Sequence, residues 1–400
     1  MRTLVFAYAC EPDRGSEPGA GWYWSRMLAT VGEATVITRA NNRDAIERAL
    51  ASTPERGRLR FVYVDLPRWA RFWKRGQRGI HLYYLLWQLA ALRVGRRLHR
   101  TAPFDVVWHL TMANVWMGSL APFVGAPFVH GPIGGGVKTP WRLLGALGLR
   151  GVLGEVTYKV AQGVGRRLNP LTRIAWRRAS LILVQNPETR AWLPATHRHK
   201  CVVFPNSVVD AAPAPGEVSA ARPPTAIYAG RLLPAKGTAL AIRAMAELPG
   251  WELLVCGTGP DERRLRRVAN RRGVADRVTF TGWLTRPELA AIMVERADVM
   301  LFPSLHDHSP WVLHEARTAG LRVVCLDGCG STLLATVVVE AGWPSETSRA
   351  IARGACAAMD MPRPPREHFD LATRRACLER VLRDHGLPVA ALRADGQAGT

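Results

Sequence analysis

Short apolar runs alternate with longer amphipathic stretches along the whole chain. In the first half the runs are Leu4–Tyr8, Ala34–Thr38, Leu59–Val64, Val106–Leu110, Pro127–His130 and Leu181–Gln185. In the second half they are Thr225–Ala229, Glu252–Cys256, Val278–Thr281, Val299–Phe302 and Val323–Leu326. Runs of this length, bounded by turn residues, read as buried strands. Thr238–Glu247, Glu262–Arg272 and Glu288–Glu295 carry helical spacing between the later strands. Strand–helix alternation predicts βαβ units and parallel sheets. Because the pattern occupies both halves, the expected fold is α/β, with two doubly wound, Rossmann-like domains.

The boundary falls near Phe204–Asp210, before the Ala- and Pro-rich segment AAPAPGEVSAARPP. This divides the chain into domains 1–205 and 206–385, the last helix of the second expected to pack back on the first, and a Gly/Ala-rich tail, 386–400, expected to be flexible. The apolar part of MRTLVFAYAC is too short for a signal peptide and reads as a first strand. The uncharged stretch Val106–Val137 is long enough to span a bilayer. Pro122, Pro127, Pro132 and Gly134–Gly136 interrupt it, so strand–helix–strand is the better reading.

Charge changes the picture more than composition does. The chain has 54 basic and 32 acidic residues, a net charge of +22. Residues 1–200 hold 30 basic and 11 acidic residues, against 24 and 21 in the second half. The N-terminal half is thus the one expected to meet an anionic partner: nucleic acid, lipid headgroups or a phosphorylated acceptor. The seven cysteines are scattered and have no His cluster beside them, which favours free thiols in a reducing cytoplasm over a zinc site.

Four segments carry candidate chemistry. CEPDRGSEPGAGW (Cys10–Trp22) follows the first strand, and Gly19 and Gly21 would let backbone approach a ligand at a helix N-terminus; a plain tight turn fits as well. HGPIGGG places His130 at the expected carboxyl end of a strand, where open α/β sheets bind ligands; a locally satisfied histidine is the equal alternative. YAGRLLPAKG carries Arg231 and Lys236, two cations able to straddle a diphosphate as negative charge accumulates on it. LFPSLHDHSPWVLHEARTAG sets Asp307 in a loop and Glu315 in a helix starting near Pro310. Carboxylates there would accept two donors from sugar or ribose hydroxyls; a helix cap and a solvated face are the alternative.

With these residues in hand, the chain resembles the GT-B glycosyltransferases of family 4, which move a sugar from a nucleotide donor with retention. PNSVVD (Pro205–Asp210) looks like the family's PNGVD, and GRLLPAKG like its GRL…KG. CGTGPDERRL resembles its GxGP turn, VTFTGWL its VxFxG strand, and Asp307 to Glu315 its paired carboxylates. The resemblance implies that Arg231 and Lys236 bind the donor diphosphate, that Glu315 binds ribose and that Asp307 contacts the transferred sugar. It also implies that Gly282 borders the base, that Gly257 lies in the donor turn, and that Gly19, Gly21 and His130 approach from the N-terminal side. No metal or other cofactor is implied. His308, Ser309, Pro310 and Trp311 stand where the family has GFG, which puts Ser309 and Trp311 among the donor-binding positions. Pro310 has no N–H to offer a phosphate, and Trp311 is bulky where glycine is usual. A catalytically inactive GT-B protein is therefore the alternative reading.

Residues 66–100 hold nine Lys or Arg and no acid, interleaved with aromatics. Leu82, Leu85, Leu86, Leu89 and Leu92 form one helical face. Trp69, Trp73, Lys74 and Arg75 are the expected contacts to an anionic membrane, and a core helix with solvated basic ends is the alternative. No nucleic-acid module is visible, so nucleic acid is not an expected partner. The expected partners are a nucleotide sugar and a lipid-linked or polysaccharide acceptor. The expected setting is the bacterial cytoplasm, at the inner face of the plasma membrane, in exopolysaccharide or lipopolysaccharide assembly.

Overall fold

The computed structural model describes residues 1–67, 69, 79–214 and 222–389. The first domain is a seven-stranded parallel sheet of β1 (Arg2–Ala7), β2 (Glu33–Thr38), β3 (Leu59–Tyr63), β4 (Val106–Thr111), β5 (Phe128–Ile133), β6 (Ala179–Val184) and β7 (Cys201–Val203). Its order is β3-β2-β1-β4-β5-β6-β7. Around it lie α1 (Ser16–Val31), α2 (Arg43–Ala51), α3 (Ile80–Thr101), α4 (Gly148–Leu168), α5 (Pro170–Arg178) and α6 (Pro187–Trp192). β4 and β5 are buried at every residue, as expected for strands covered on both faces.

The second domain is a six-stranded parallel sheet of β8 (Thr225–Ala229), β9 (Glu252–Cys256), β10 (Val278–Gly282), β11 (Val299–Phe302), β12 (Arg322–Leu326) and β13 (Val337–Val339). The order β10-β9-β8-β11-β12-β13 reverses between β8 and β11, and the first sheet reverses between β1 and β4. Crevices at such reversals, beyond the strands' carboxyl ends, are where open α/β sheets bind ligands. The helices of this half are α7 (Thr238–Ala244), α8 (Glu262–Arg271), α9 (Arg286–Glu295), α10 (Trp311–Thr318), α11 (Pro344–Asp360) and α12 (Leu371–Asp384). A capping box between Thr285 and Glu288 fixes the start of α9 next to the carboxyl end of β10.

Two segments cross between the domains. Leu143 and Leu147, which precede α4, pack into the core built on β8, β9 and α7. In return α12 places Leu378 and Leu382 in the core of the first sheet, beside Trp24 and Leu28 of α1. Leu387 is buried there too, so ordered chain continues past the expected start of the tail. Only 390–400 of that tail lies outside the described residues. At the hinge, Asn206 accepts the Trp24 indole N–H on its carbonyl at 2.9 Å and that of Trp311 on its side-chain oxygen at 3.0 Å.

On α3 the aromatic residues, rather than the leucine face, turn inward. Its buried residues are Tyr83, Tyr84, Trp87, Gln88, Ala91 and Gly95, while Leu82 is 54% exposed and Leu85 and Leu89 are 40% exposed. The rings bring more area than leucine. They close around Tyr8 at the end of β1, with centroids 5.1 Å from Tyr84 and 5.3 Å from Trp87. Of the expected membrane contacts, Trp69 is 78% exposed, and Trp73, Lys74 and Arg75 lie outside the described residues. Among the described residues no helix is long and apolar enough to cross a membrane.

Candidate functional site in the interdomain cleft

The loops after β8 and β11 meet at the reversal of the second sheet. Leu305 donates its N–H to the carbonyl of Ala235 at 2.9 Å, tying one loop to the other. This places Lys236 against Asp307, and the two form an ion pair, both largely buried. Arg231 stands exposed at the mouth of the same loop. Of the predicted residues, these are the ones the fold joins most directly.

His306 and His308 flank Asp307, with their Nε2 atoms 3.2 Å apart. Burial depresses the His308 imidazole to about 4, helped by the neighbouring His306 and opposed by Asp307. His306 is lowered as well, again chiefly by burial. The first domain reaches this loop through three groups. Thr139 Oγ1 lies 3.1 Å from His306 Nδ1, Glu155 of α4 lies 3.7 Å from the same nitrogen, and Asn186 donates to the His308 carbonyl at 2.6 Å. His306, Glu155, Thr139 and Asn186 carry no motif in the sequence. Their partners are more than a hundred residues away, which no local pattern records.

Glu315, in the second turn of α10, is half-buried, and desolvation raises its pKa while Arg286 opposes the shift. Arg286 Nε lies 3.8 Å from the Glu315 carboxylate. Its guanidinium also sits 4.8 Å above the Trp311 ring and within 5.7 Å of the Tyr23 ring. Arg286 thus stands between the candidate ribose carboxylate and the first domain. Its one sequence signal was the position just after the VTFTGWL strand. Trp311 itself is part of the first domain's core and ties the two domains together across the start of α10. Ser309 has a buried hydroxyl and borders a cavity of about 10 Å³ with Ser331, Gln185 and Pro205.

The glycines take specific places. Gly19 and Gly21 lie within the first turns of α1, where a Cβ would fall 1.9 Å from the Arg14 carbonyl oxygen and 2.0 Å from that of Ala9. They allow the helix to pack on its own entry loop, and Gly19 also faces Trp311 at 3.6 Å. A Cβ on Gly257 would sit 2.1 Å from the Gly230 carbonyl oxygen, and its N–H donates to Gly282 at 2.7 Å. These contacts align the carboxyl ends of β8, β9 and β10.

His130 is not at a strand end. β5 continues to Ile133, and His130 pairs in register with His109 on β4 and Ile182 on β6. It is 1% exposed and its ring nitrogens have no hydrogen-bond partner among the described residues. Burial, with His109 beside it, holds it well below the usual histidine range. The glycines after it defined the end of the apolar run in the sequence, but β5 extends through Gly131 and Pro132. Gly134, rather than His130, meets the second domain: a Cβ there would lie 3.0 Å from the His308 side chain. Among the described residues no group of three or more His, Cys, Asp or Glu is arranged to hold a metal ion.

Residues 215–352, which contain β8 to β13, match the family model of the glycosyl transferases group 1. That match lies in the second domain and spans about a third of the chain. The chain is 35% identical over 100 residues to the 2-deoxystreptamine glucosyltransferase of Streptomyces kanamyceticus, covering 24% of this chain and 26% of that protein. It is 37% identical over 103 residues to LpsE, a lipopolysaccharide core biosynthesis glycosyltransferase of Rhizobium meliloti, covering 25% and 29%. The matched stretches thus span about a quarter of those relatives. The whole fold is GT-B. HepE of Anabaena superposes with a TM-score of 0.59 at 17% identity, covering 96% of this chain and all of that one. Sucrose-phosphate synthase of Thermosynechococcus elongatus superposes at 0.60 and 16% identity, covering 96% and 98%. The family-model match thus takes in Lys236, Asp307 and Glu315.

Proposed function

We propose that this protein transfers a sugar from a nucleotide-sugar donor to a lipid-linked or polysaccharide acceptor, with retention of configuration, in bacterial cell-surface glycan assembly. The observation that carries the reading is the Lys236–Asp307 ion pair at the β8/β11 reversal. An arriving diphosphate takes Lys236 as its counter-ion, and the freed Asp307 carboxylate then accepts hydroxyls of the sugar. Arg231 offsets charge at the cleft mouth, and Glu315 turns from Arg286 to the ribose hydroxyls. As the sugar–phosphate bond breaks, the acceptor oxygen bonds to the same face and its proton passes to the leaving phosphate. The leaving charge is offset by these cations rather than by a resident metal. HepE, whose solved structures hold UDP and UDP-glucose, lends support to a nucleotide-sugar donor. LpsE supports a glycan acceptor.

A second reading, a GT-B protein that binds donor without turnover, is favoured by one observation. Pro310 and the interdomain Trp311 stand where backbone N–H groups and open space would serve a phosphate. Thermal stabilisation by UDP, GDP, ADP and dTDP tests the main proposal. A matching nucleotide at ~100 times its Kd stabilises the native state by about 2.7 kcal/mol and raises the melting temperature. No response to any of the four would refute it, and a response without sugar transfer would establish the second reading.

A further inference from the structure

We infer that the outer face of α4 is a docking surface for an anionic lipid bilayer. α4 is 21 residues long, on the order of 30 Å. One side is fixed to the protein: Gln162 donates to the Gly135 carbonyl, and Gly165 packs against Trp116. The other side is apolar and exposed. Leu149, Leu153, Val156, Val160, Val164 and Leu168 recur every three or four residues and are 92, 69, 48, 60, 51 and 73% exposed. Single exposed leucines need no explanation, but a stripe running the length of an anchored helix does. Trp141, 66% exposed, precedes the helix. Trp116 bridges Tyr158 of α4 and His81 of α3, at 6.0 and 6.1 Å between ring centroids, so the exposed Leu82 and Leu85 stand on the neighbouring helix.

Charge selects the occupant. Residues 138–178 hold nine Lys or Arg and a single acid, Glu155, whose carboxylate turns inward to Lys159 and His306. A second copy seated symmetrically on this face would set two strongly basic surfaces together, which like-charge repulsion opposes. An anionic bilayer instead offers acyl chains to the stripe and headgroups to the flanking cations, the arrangement of a helix lying in the interface plane. The α4 stripe is separate in sequence from residues 66–100, the segment that the aromatic and basic composition points to, and Leu82 and Leu85 of that segment stand on the neighbouring helix. It also stands independently of which donor, if any, the cleft accepts.

Flotation of the full-length protein with vesicles of equal parts phosphatidylcholine and phosphatidylglycerol, against phosphatidylcholine alone, tests the inference. The protein should float with the mixed vesicles, and salt should release it. Leu153→Asp with Val160→Asp puts two carboxylates on the stripe and should lower recovery about tenfold or more. Met361→Asp, at an exposed apolar position of the second domain, should float like the parent. Circular dichroism and the melting temperature check that each variant folds. Unchanged flotation of the stripe variant, equal recovery on both vesicle types, or loss in the Met361 variant alike would overturn the inference. So would absence of flotation with a dimer in light scattering that the stripe variant dissolves, which would assign the face to a second copy.

Discussion

Acidification from neutral to about pH 5 should destabilise the protein through its buried histidines, and His308→Asn should remove a defined share of that loss. His308 titrates near 6.5 when unfolded and is held at about 4 in the fold. Between those values the unfolded chain binds a proton that the native state refuses. Its contribution is therefore complete above the unfolded value and is lost as pH falls toward the folded one. About 1.5 units below the unfolded value, at 1.36 kcal/mol per unit, the cost is ~2 kcal/mol. His109, held at about 4, and His314, held at about 3, titrate in the same window. These three groups together give ~6 kcal/mol, a large part of an ordinary domain's stability, and His130 and His306, lowered as well, act in the same direction. Glu17 and Glu315 act in the opposite sense: burial raises both, so their contribution is lost as pH rises through the folded value. The difference between parent and variant isolates His308 from these terms. Urea unfolding followed by circular dichroism at the two pH values should show the variant losing ~2 kcal/mol less than the parent. An equal loss in both would refute a His308 held neutral by the fold.

Lys236→Ala and Glu315→Ala should each reduce sugar transfer about a hundredfold or more with the fold retained, as removal of a charge-stabilising group does. Near-normal turnover of either purified variant, measured with the donor whose nucleotide stabilises the protein, would sink its assigned role. Leu143→Ala should cost about 2–5 kcal/mol because the side chain is fully buried in the second domain's core. A loss in urea unfolding of only a few tenths would mean that the crossing segment is not packed there.

The sequence alone determined the two sheets and the loops that carry the chemistry. Runs such as Glu252–Cys256 and Val299–Phe302 became strands with those bounds, because a strand covered on both faces must be apolar at nearly every position. The loops holding Arg231, Lys236 and Asp307 follow from where those runs stop. The tertiary structure decided which residues meet. A run of leucines and aromatics on α3 signals a buried helix face but not which rows turn inward, and packing around Tyr8 chose the rings over Leu82 and Leu85. The end of an apolar run put His130 at a strand terminus, whereas pairing of Ile133 with Val184 of β6 carries β5 three residues further. Sequence spacing likewise gave no sign that Leu143 would join the second core or that Arg286 would stand over Glu315. Local pattern records how much of a segment must be hidden from water; its partner is set by contacts between segments far apart in the chain, and the cleft is made of such contacts.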